Sequence, residues 1–225
     1  MTLVALDETK FTRSIHTFAS VEPKLFIQSD ACLFGLGILI YGGPNGNVPL
    51  GGSAVDISHF GFGEDSSFQN VAEFVAAVMG IVIIVKMGLL FMIKDYGVGL
   101  RGDSITALTW ISKEKYRGLS VSNAAMVYTI LGIACGSAVS NAVHLSAADK
   151  WRADDLSRQS TLGKSLTQLM NDMGYGGMPE VDLMGDKEVM SLLNYMNPRS
   201  VSESDEEFRI FWEGATTTIR SLLER

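Results

Sequence analysis

The stretch His144-Leu-Ser-Ala-Ala-Asp-Lys-Trp-Arg-Ala-Asp154-Asp-Leu-Ser-Arg158 decides how the rest of the chain is read. It puts a histidine at the end of a short apolar run. About ten residues later an acidic pair opens an Asp-Leu-Ser-Arg turn of helical spacing, so a strand end followed by a helix is expected. Alone, this is a loop with some charge in it. It gains meaning from three carboxylates upstream, each placed where a strand or helix should end or face another.

Working back toward the N-terminus, Lys24-Leu-Phe-Ile-Gln-Ser-Asp30 is a short apolar run ending in an acid, as a buried strand would. Ala31 to Phe34 makes a turn, and Gly35 to Tyr41 a second strand. Gly42-Gly-Pro-Asn-Gly-Asn47 is dense turn chemistry, so a third strand over about 48–57 should return antiparallel. Ser66 or Ser67 can cap a helix running from Phe68 to about Val85. On it Glu73, Ala76, Ala77, Gly80, Ile81 and Ile84 share one face, whose small residues would let the helix sit close to a sheet. Glu73 is then a carboxylate on a packing face, costly unless paired or metal-bound.

Asp95 and Tyr96 open a turn, and Gly97 to Asp103 reads as a fourth strand. Ile105 to Ile111 makes a short helix. Lys113, Lys115 and Arg117 form a basic connector, and Ser122 to Cys135 a further helix. Asn141 to His144 is a short fifth strand, and a helix beginning near Asp149 carries Asp154. The order βββαβααβα predicts an α/β fold with a mixed five-stranded sheet flanked by helices. An antiparallel meander forms one side and parallel strands with right-handed crossovers the other.

The flanks differ in character. Residues 1–23 carry no periodicity and read as a leader or tether. Past Arg158, Gly and Pro clusters divide the chain into amphipathic pieces at about 161–173, 187–196 and 205–224, expected as an acidic helical tail or linker. The predicted organisation is thus 1–23, a domain at 24–160, and 161–225.

The formal charge of −7 argues weakly against a nucleic-acid binder, but it is unevenly spread. Up to Arg158 there are 14 acids against 12 bases; beyond it, 11 against 6. Most of the acidity lies outside the candidate domain. Cys32 and Cys135 have no metal-ligand spacing and are too few for a disulfide framework, which favours a reducing, intracellular compartment, cytoplasm or nucleus. Met1 to Ser20 lacks the apolar core of a secretory signal. Phe74 to Ile93 is apolar except for Lys86, and a lysine at mid-bilayer costs about 2.5–3.5 kcal/mol. A core helix is expected there, with no membrane partner.

Asp30 ends the first strand and Asp103 the fourth. If those strands are adjacent, their tips lie roughly 5 Å apart. Glu73 and Asp154 can complete a ring of four carboxylates, which cannot all stay ionised without cations between them. Mg²⁺ suits such a site, binding through a few carboxylates plus substrate phosphate. Two ions about 3.5–4 Å apart would serve an in-line phosphoryl displacement, so phosphodiester hydrolysis is indicated. The plainer readings make Asp30 a turn residue, Asp103 a helix cap, His144 a strand-end histidine and the basic connector a solvated face.

Asp30, Glu73, Asp103 and Asp154, with His144 before the last, resemble ribonuclease H type 1. Ala153-Asp-Asp-Leu-Ser-Arg158 is similar to the Ala-Asp-x-Leu-Ser-Arg ending of retroelement ribonuclease H domains. Asn70-Val-Ala-Glu73 and Gly102-Asp-Ser104 look most like DIRS-type retrotransposons. The resemblance spans about residues 24–160 and implies an endonuclease cutting the RNA strand of RNA–DNA hybrids, next to a reverse transcriptase polymerase domain. It implies that Asp30 bridges two Mg²⁺ ions (Mn²⁺ a possible substitute), that Glu73 and Asp103 hold one, and that Asp154 helps hold the other. His144 would assist proton transfer or product release. Gln69 and Asn70 would touch the minor groove of the hybrid, and Lys113, Lys115 and Arg117 the phosphates.

There are two departures. Ala147 and Lys150 stand where the family usually has Gly and Asn, which implies a stiffer or altered active-site loop. No Tyr-x-Asp-Asp polymerase motif occurs in the chain. The alternative function is a catalytically inactive ribonuclease-H-like module that positions nucleic acid.

Overall fold

Leu25-Phe-Ile-Gln-Ser-Asp-Ala31 forms β1, and every residue of it is buried. A strand with helices on both faces reads as a continuous apolar run rather than an alternating one. The same holds for β2 (Gly35–Gly42), buried throughout. The computed structural model describes residues 22–60, 66–113, 116, 119–136, 139–197 and 204–224. The set of strands is completed by β3 (Val48–Asp56), β4 (Val98–Gly102) and β5 (Val139–His144).

The helices are α1 (Ser66–Lys86), α2 (Leu90–Tyr96), α3 (Ile105–Lys113), α4 (Ser122–Cys135), α5 (Ala147–Ser157), α6 (Gln159–Leu162), α7 (Leu166–Asp172), α8 (Lys187–Tyr195) and α9 (Asp205–Leu223). Helix α2 was not anticipated as a separate element; it ends at Tyr96, where Asp95 and Tyr96 were expected to open a turn.

The sheet order is β3-β2-β1-β4-β5. β1, β2 and β3 form an antiparallel meander, while β1–β4 and β4–β5 are parallel. This is the mixed five-stranded α/β architecture expected from the element order. In the β1–β4 register Gln28 lies opposite Arg101. Asp30 and Asp103 each stand two residues further on, so equal steps along neighbouring parallel strands bring both acids to the same end of the sheet.

Helix α1 packs on one face of β1 and β2, and α5 on the other. Pleat alternation divides the strand residues accordingly. Leu25, Ile27, Leu36, Ile38 and Ile40 join the large core on the α1 side, while Phe26, Leu39 and Tyr41 join a smaller one with Leu156.

The segments beyond residue 160 share these cores. Leu169, Met170 and Met173 pack on the α5 side, while Val189, Leu192 and Leu193 of α8 and Phe211, Ala215, Ile219 and Leu222 of α9 join the large core. The amphipathic pieces are therefore layers of the same packed body, with no break in the hydrophobic core at 160. Helices α3 and α4, with a smaller contribution from α9, cover α1 away from the sheet, so it is buried on more than the single face its small residues suggested. By length and composition Phe68–Lys86 is apolar enough to cross a membrane, yet 83% of that window is buried inside the protein. Lys86 pairs with Asp186, whose carboxylate also caps α8 by accepting from the Glu188 and Val189 amides.

Candidate metal and catalytic site

The parallel strand tips end at a cleft of about 450 Å³ lined by Asp30, Ala31, Gln69, Asn70, Glu73, Asp103, Ser104, Ile105, Lys150, Asp154 and Arg158. Three elements and one turn build it. β1 delivers Asp30, α1 delivers Glu73, the turn after β4 delivers Asp103, and α5 delivers Lys150 and Asp154.

One carboxylate oxygen each from Asp30, Glu73 and Asp103 can be chosen so that all lie within 4.8 Å of one another. Asp30 is 1% exposed and Glu73 7%. Burial pushes the Asp30 carboxyl above its usual value, against hydrogen bonds from Lys150 and Ser157. Burial also raises Glu73, joined by the negative charges of Asp30 and Asp103, up to about 8. A buried acid beside two others favours its neutral form unless a cation approaches.

That cation is Lys150. Its ammonium is bound to Asp30 Oδ1 and lies 2.6 Å from Asp103 Oδ2, bridging the two strand tips. Burial works against the ammonium, but hydrogen bonds to Asp103 and Asp30 outweigh it and hold its pKa above the usual lysine value. The other oxygen of Asp30, Oδ2, accepts from Ser157 Oγ at 2.8 Å.

Asp154 lines the same cleft but stands apart from the group of three. Its Oδ1 accepts from Arg158 Nε at 3.0 Å and Nη2 at 2.8 Å, one helical turn on. The expected ring of four acids is thus a trio plus one neighbour. His144 is the last residue of β5, paired in register with Gly102, and its side chain is exposed. It stands beside the strand tips and is not among the residues lining the cleft.

Gln69 and Asn70 open onto the cleft from the first turns of α1 and also brace it. Gln69 Nε2 donates to the Ala31 carbonyl and, at 3.4 Å, to Glu73 Oε1. Asn70 Oδ1 accepts from Ser104 Oγ at 3.0 Å, tying α1 to the turn that carries Asp103. Lys113 is exposed at the C-terminal end of α3. Lys115 and Arg117 lie outside the described residues. Ala147 and Lys150, expected in a stiffer or altered active-site loop, fall in the first turns of α5, which begins two residues before the expected start near Asp149.

The sequence reading missed Lys150 and Ser157 as parts of the site, and also Gln28, whose Nε2 donates to the Asp149 carbonyl at 3.2 Å. A signal for the first two was present. Counted from Asp154, Lys150 lies four residues before and Ser157 three after, spacing that puts all three on one helix face.

The donor set fits a hard divalent cation, which prefers carboxylate oxygens. Asp30, Glu73 and Asp103, with one oxygen each within 4.8 Å of the others, are the residues that would hold it.

No family model matches the sequence, and no curated protein matches it. Among solved structures, the chain is similar to the RNase H1 from the halophilic archaeon Halobacterium salinarum NRC-1. The identity is 14%, the match covers 62% of this chain and 97% of that one, and the TM-score is 0.43.

Proposed function

We propose that this chain is a metal-dependent endonuclease of the ribonuclease H type, hydrolysing the RNA strand of RNA–DNA hybrids. The observation that carries the reading is the convergence of Asp30, Glu73 and Asp103 oxygens within 4.8 Å, at the tips of adjacent parallel strands. A sheet ordered β3-β2-β1-β4-β5 with an antiparallel meander supports it. The retroelement origin, the neighbouring polymerase domain and the intracellular location belong to the same proposal. They are carried by the Ala153–Arg158 signature and the sparse cysteines.

Asp30, Glu73 and Asp103 would hold one Mg²⁺, with Asp154 contributing to a second. When bound, the metal would supply an activated water and charge stabilisation for the leaving oxygen. The protein's own residues set the geometry. Ser157 fixes the Asp30 carboxylate through Oδ2, and Gln69 fixes Glu73 against the end of β1. Gln69 and Asn70 face the cleft where ribose 2′-hydroxyls would distinguish RNA from DNA. Lys113, with Lys115 and Arg117, would add phosphate contacts that weaken with salt. His144, outside the cleft beside Gly102, would exchange protons with solvent as product leaves.

The test is to incubate the purified chain with an end-labelled RNA–DNA hybrid and Mg²⁺, beside Asp103→Asn. The parent should cut the RNA strand, and the variant should lose about a hundredfold or more in rate, as when a group stabilising transition-state charge is removed. Hybrid binding without cleavage by the parent would instead support the second reading, an inactive positioning module. One observation favours that second reading: the Lys150 ammonium stands between two of the three acids.

A further inference from the structure

We propose that Lys150 is the resident counter-ion of the acidic cleft, and that a divalent cation loads by displacing its ammonium from between Asp30 and Asp103. The inference rests on the metal-binding reading above and adds a competitor to it.

The first support is the placement of the charge. Three carboxylates meet within 4.8 Å, two from strand tips and one from α1. The cation that meets Asp30 and Asp103 comes from α5, on the opposite side of the sheet from α1. Its side chain is 11% exposed. One ammonium cannot balance the two strand-tip carboxylates it meets, Asp30 and Asp103, so the cleft with Lys150 in place keeps an excess of negative charge that a divalent ion would answer better.

The division of labour on Asp30 is the second support. Lys150 engages Oδ1, while Ser157 donates to Oδ2. When the ammonium withdraws, Oδ1 is released and Ser157 still holds the carboxylate in orientation. The third is the way α5 is anchored. A Cβ on Gly37 would lie 2.5 Å from the Ser157 amide nitrogen and 2.8 Å from Leu156 Cβ, so the helix backbone is seated on β2 and has little room to shift. Displacement is therefore a rotation of the four-carbon lysine stem, which is flexible, into a cleft that also holds Asp154 a turn away on the same helix face.

The experiment compares the full chain with Lys150→Met, which keeps the stem and removes the charge. Mn²⁺ binding is read by titration calorimetry, and melting temperature in EDTA and in saturating Mn²⁺. Displacement predicts that Lys150→Met binds Mn²⁺ about tenfold tighter or more, since a competitor has gone. Its melting temperature in EDTA should fall by about 5–10 °C, as expected when one partner of a buried ion pair is removed, and Mn²⁺ should restore it. A variant that binds Mn²⁺ no more tightly than the parent overturns the displacement while leaving the metal site standing. Failure of both proteins to bind Mn²⁺ overturns the metal site and the displacement together. A measurement on the parent alone avoids dependence on the variant's folding. Amine-selective labelling of Lys150, read by peptide mass spectrometry, should rise severalfold when Mn²⁺ is added; unchanged or reduced labelling overturns the proposal.

Discussion

Helices α1 and α5 press on opposite faces of the same two strands, and each needs a glycine to come close. For α1 the glycine is in the helix: a Cβ at Gly80 would run into the Ile27 side chain. For α5 the glycines are in the strand: a Cβ at Gly37 would overlap the Ala153 carbonyl and one at Gly35 the Ser157 carbonyl. Ile27 is buried and β-branched, so its Cγ2 can give way only by turning about χ1, but a helix backbone can yield only by moving as a whole. The charges divide in a matching way. Helix α1 is apolar and brings one acid, Glu73, at high burial. Helix α5 is mixed and brings Lys150 and Ser157, which bond Asp30. The negative charge and most of its compensation thus arrive from different layers of the fold.

The largest effect expected is at the α5 contact. Gly37→Ala should cost about 3 kcal/mol, the upper range for overpacking against an unyielding neighbour. Gly80→Ala should cost less, about 1–2 kcal/mol, because the overpacking against Ile27 is partly offset by alanine being the better helix former by about 1 kcal/mol. Urea denaturation of the pair measures the asymmetry, and equal costs would break the distinction drawn between the two contacts.

A middle effect concerns the sign of charge removal. Glu73 has its carboxyl raised to about 8 by burial and by Asp30 and Asp103, above its value in the unfolded chain. Its contribution is therefore most favourable below about pH 4.5 and is lost as pH rises toward 8. In EDTA, Glu73→Gln should be more stable than the parent by about 2 kcal/mol at pH 8, with the gain shrinking toward pH 5. Removing charge from α1 would then stabilise, whereas removing it from Lys150 on α5 destabilises. Melting curves across that pH range decide the point, and a gain independent of pH would remove Glu73's titration as its cause.

The smallest effect is expected at the cleft mouth. Arg158 is mostly exposed in its pair with Asp154, at 56% and 32% of the side chains. Exposed pairs of this spacing contribute about 0.3–0.5 kcal/mol, so Arg158→Ala should shift the urea midpoint only slightly. A large loss of stability there would mean that the cleft's charges are coupled beyond the Asp30–Lys150–Asp103 group.

Most elements were legible because each has a local cause. The turn chemistry of Gly42–Asn47 fixes the antiparallel return of β3, and the apolar runs of β1 and β2 match strands covered on both faces. Asp30, Glu73 and Asp103 were legible as acids at element ends or on a packing face. Lys150 was not. Its spacing from Asp154 fixes which face of α5 it occupies, but not that this face meets the tips of β1 and β4. The tail was readable as amphipathic helices, with Ser204 and Glu207 forming a capping box at the start of α9. That α8 and α9 pack together against α4 depends on apolar surfaces distant in sequence, and the pairing of Lys86 with Asp186 likewise joins distant positions.

Sequence alone therefore determined the kinds and order of the elements, and which acids sit at their ends. Backbone propensity, turn residues and the periods of strand and helix act between near neighbours. Tertiary structure decided the distances between acids, the cation that meets them, and the place of the tail. Those depend on which strands pair and how closely helices settle on them, through contacts between residues far apart in the chain, 127 positions in the case of Asp30 and Ser157.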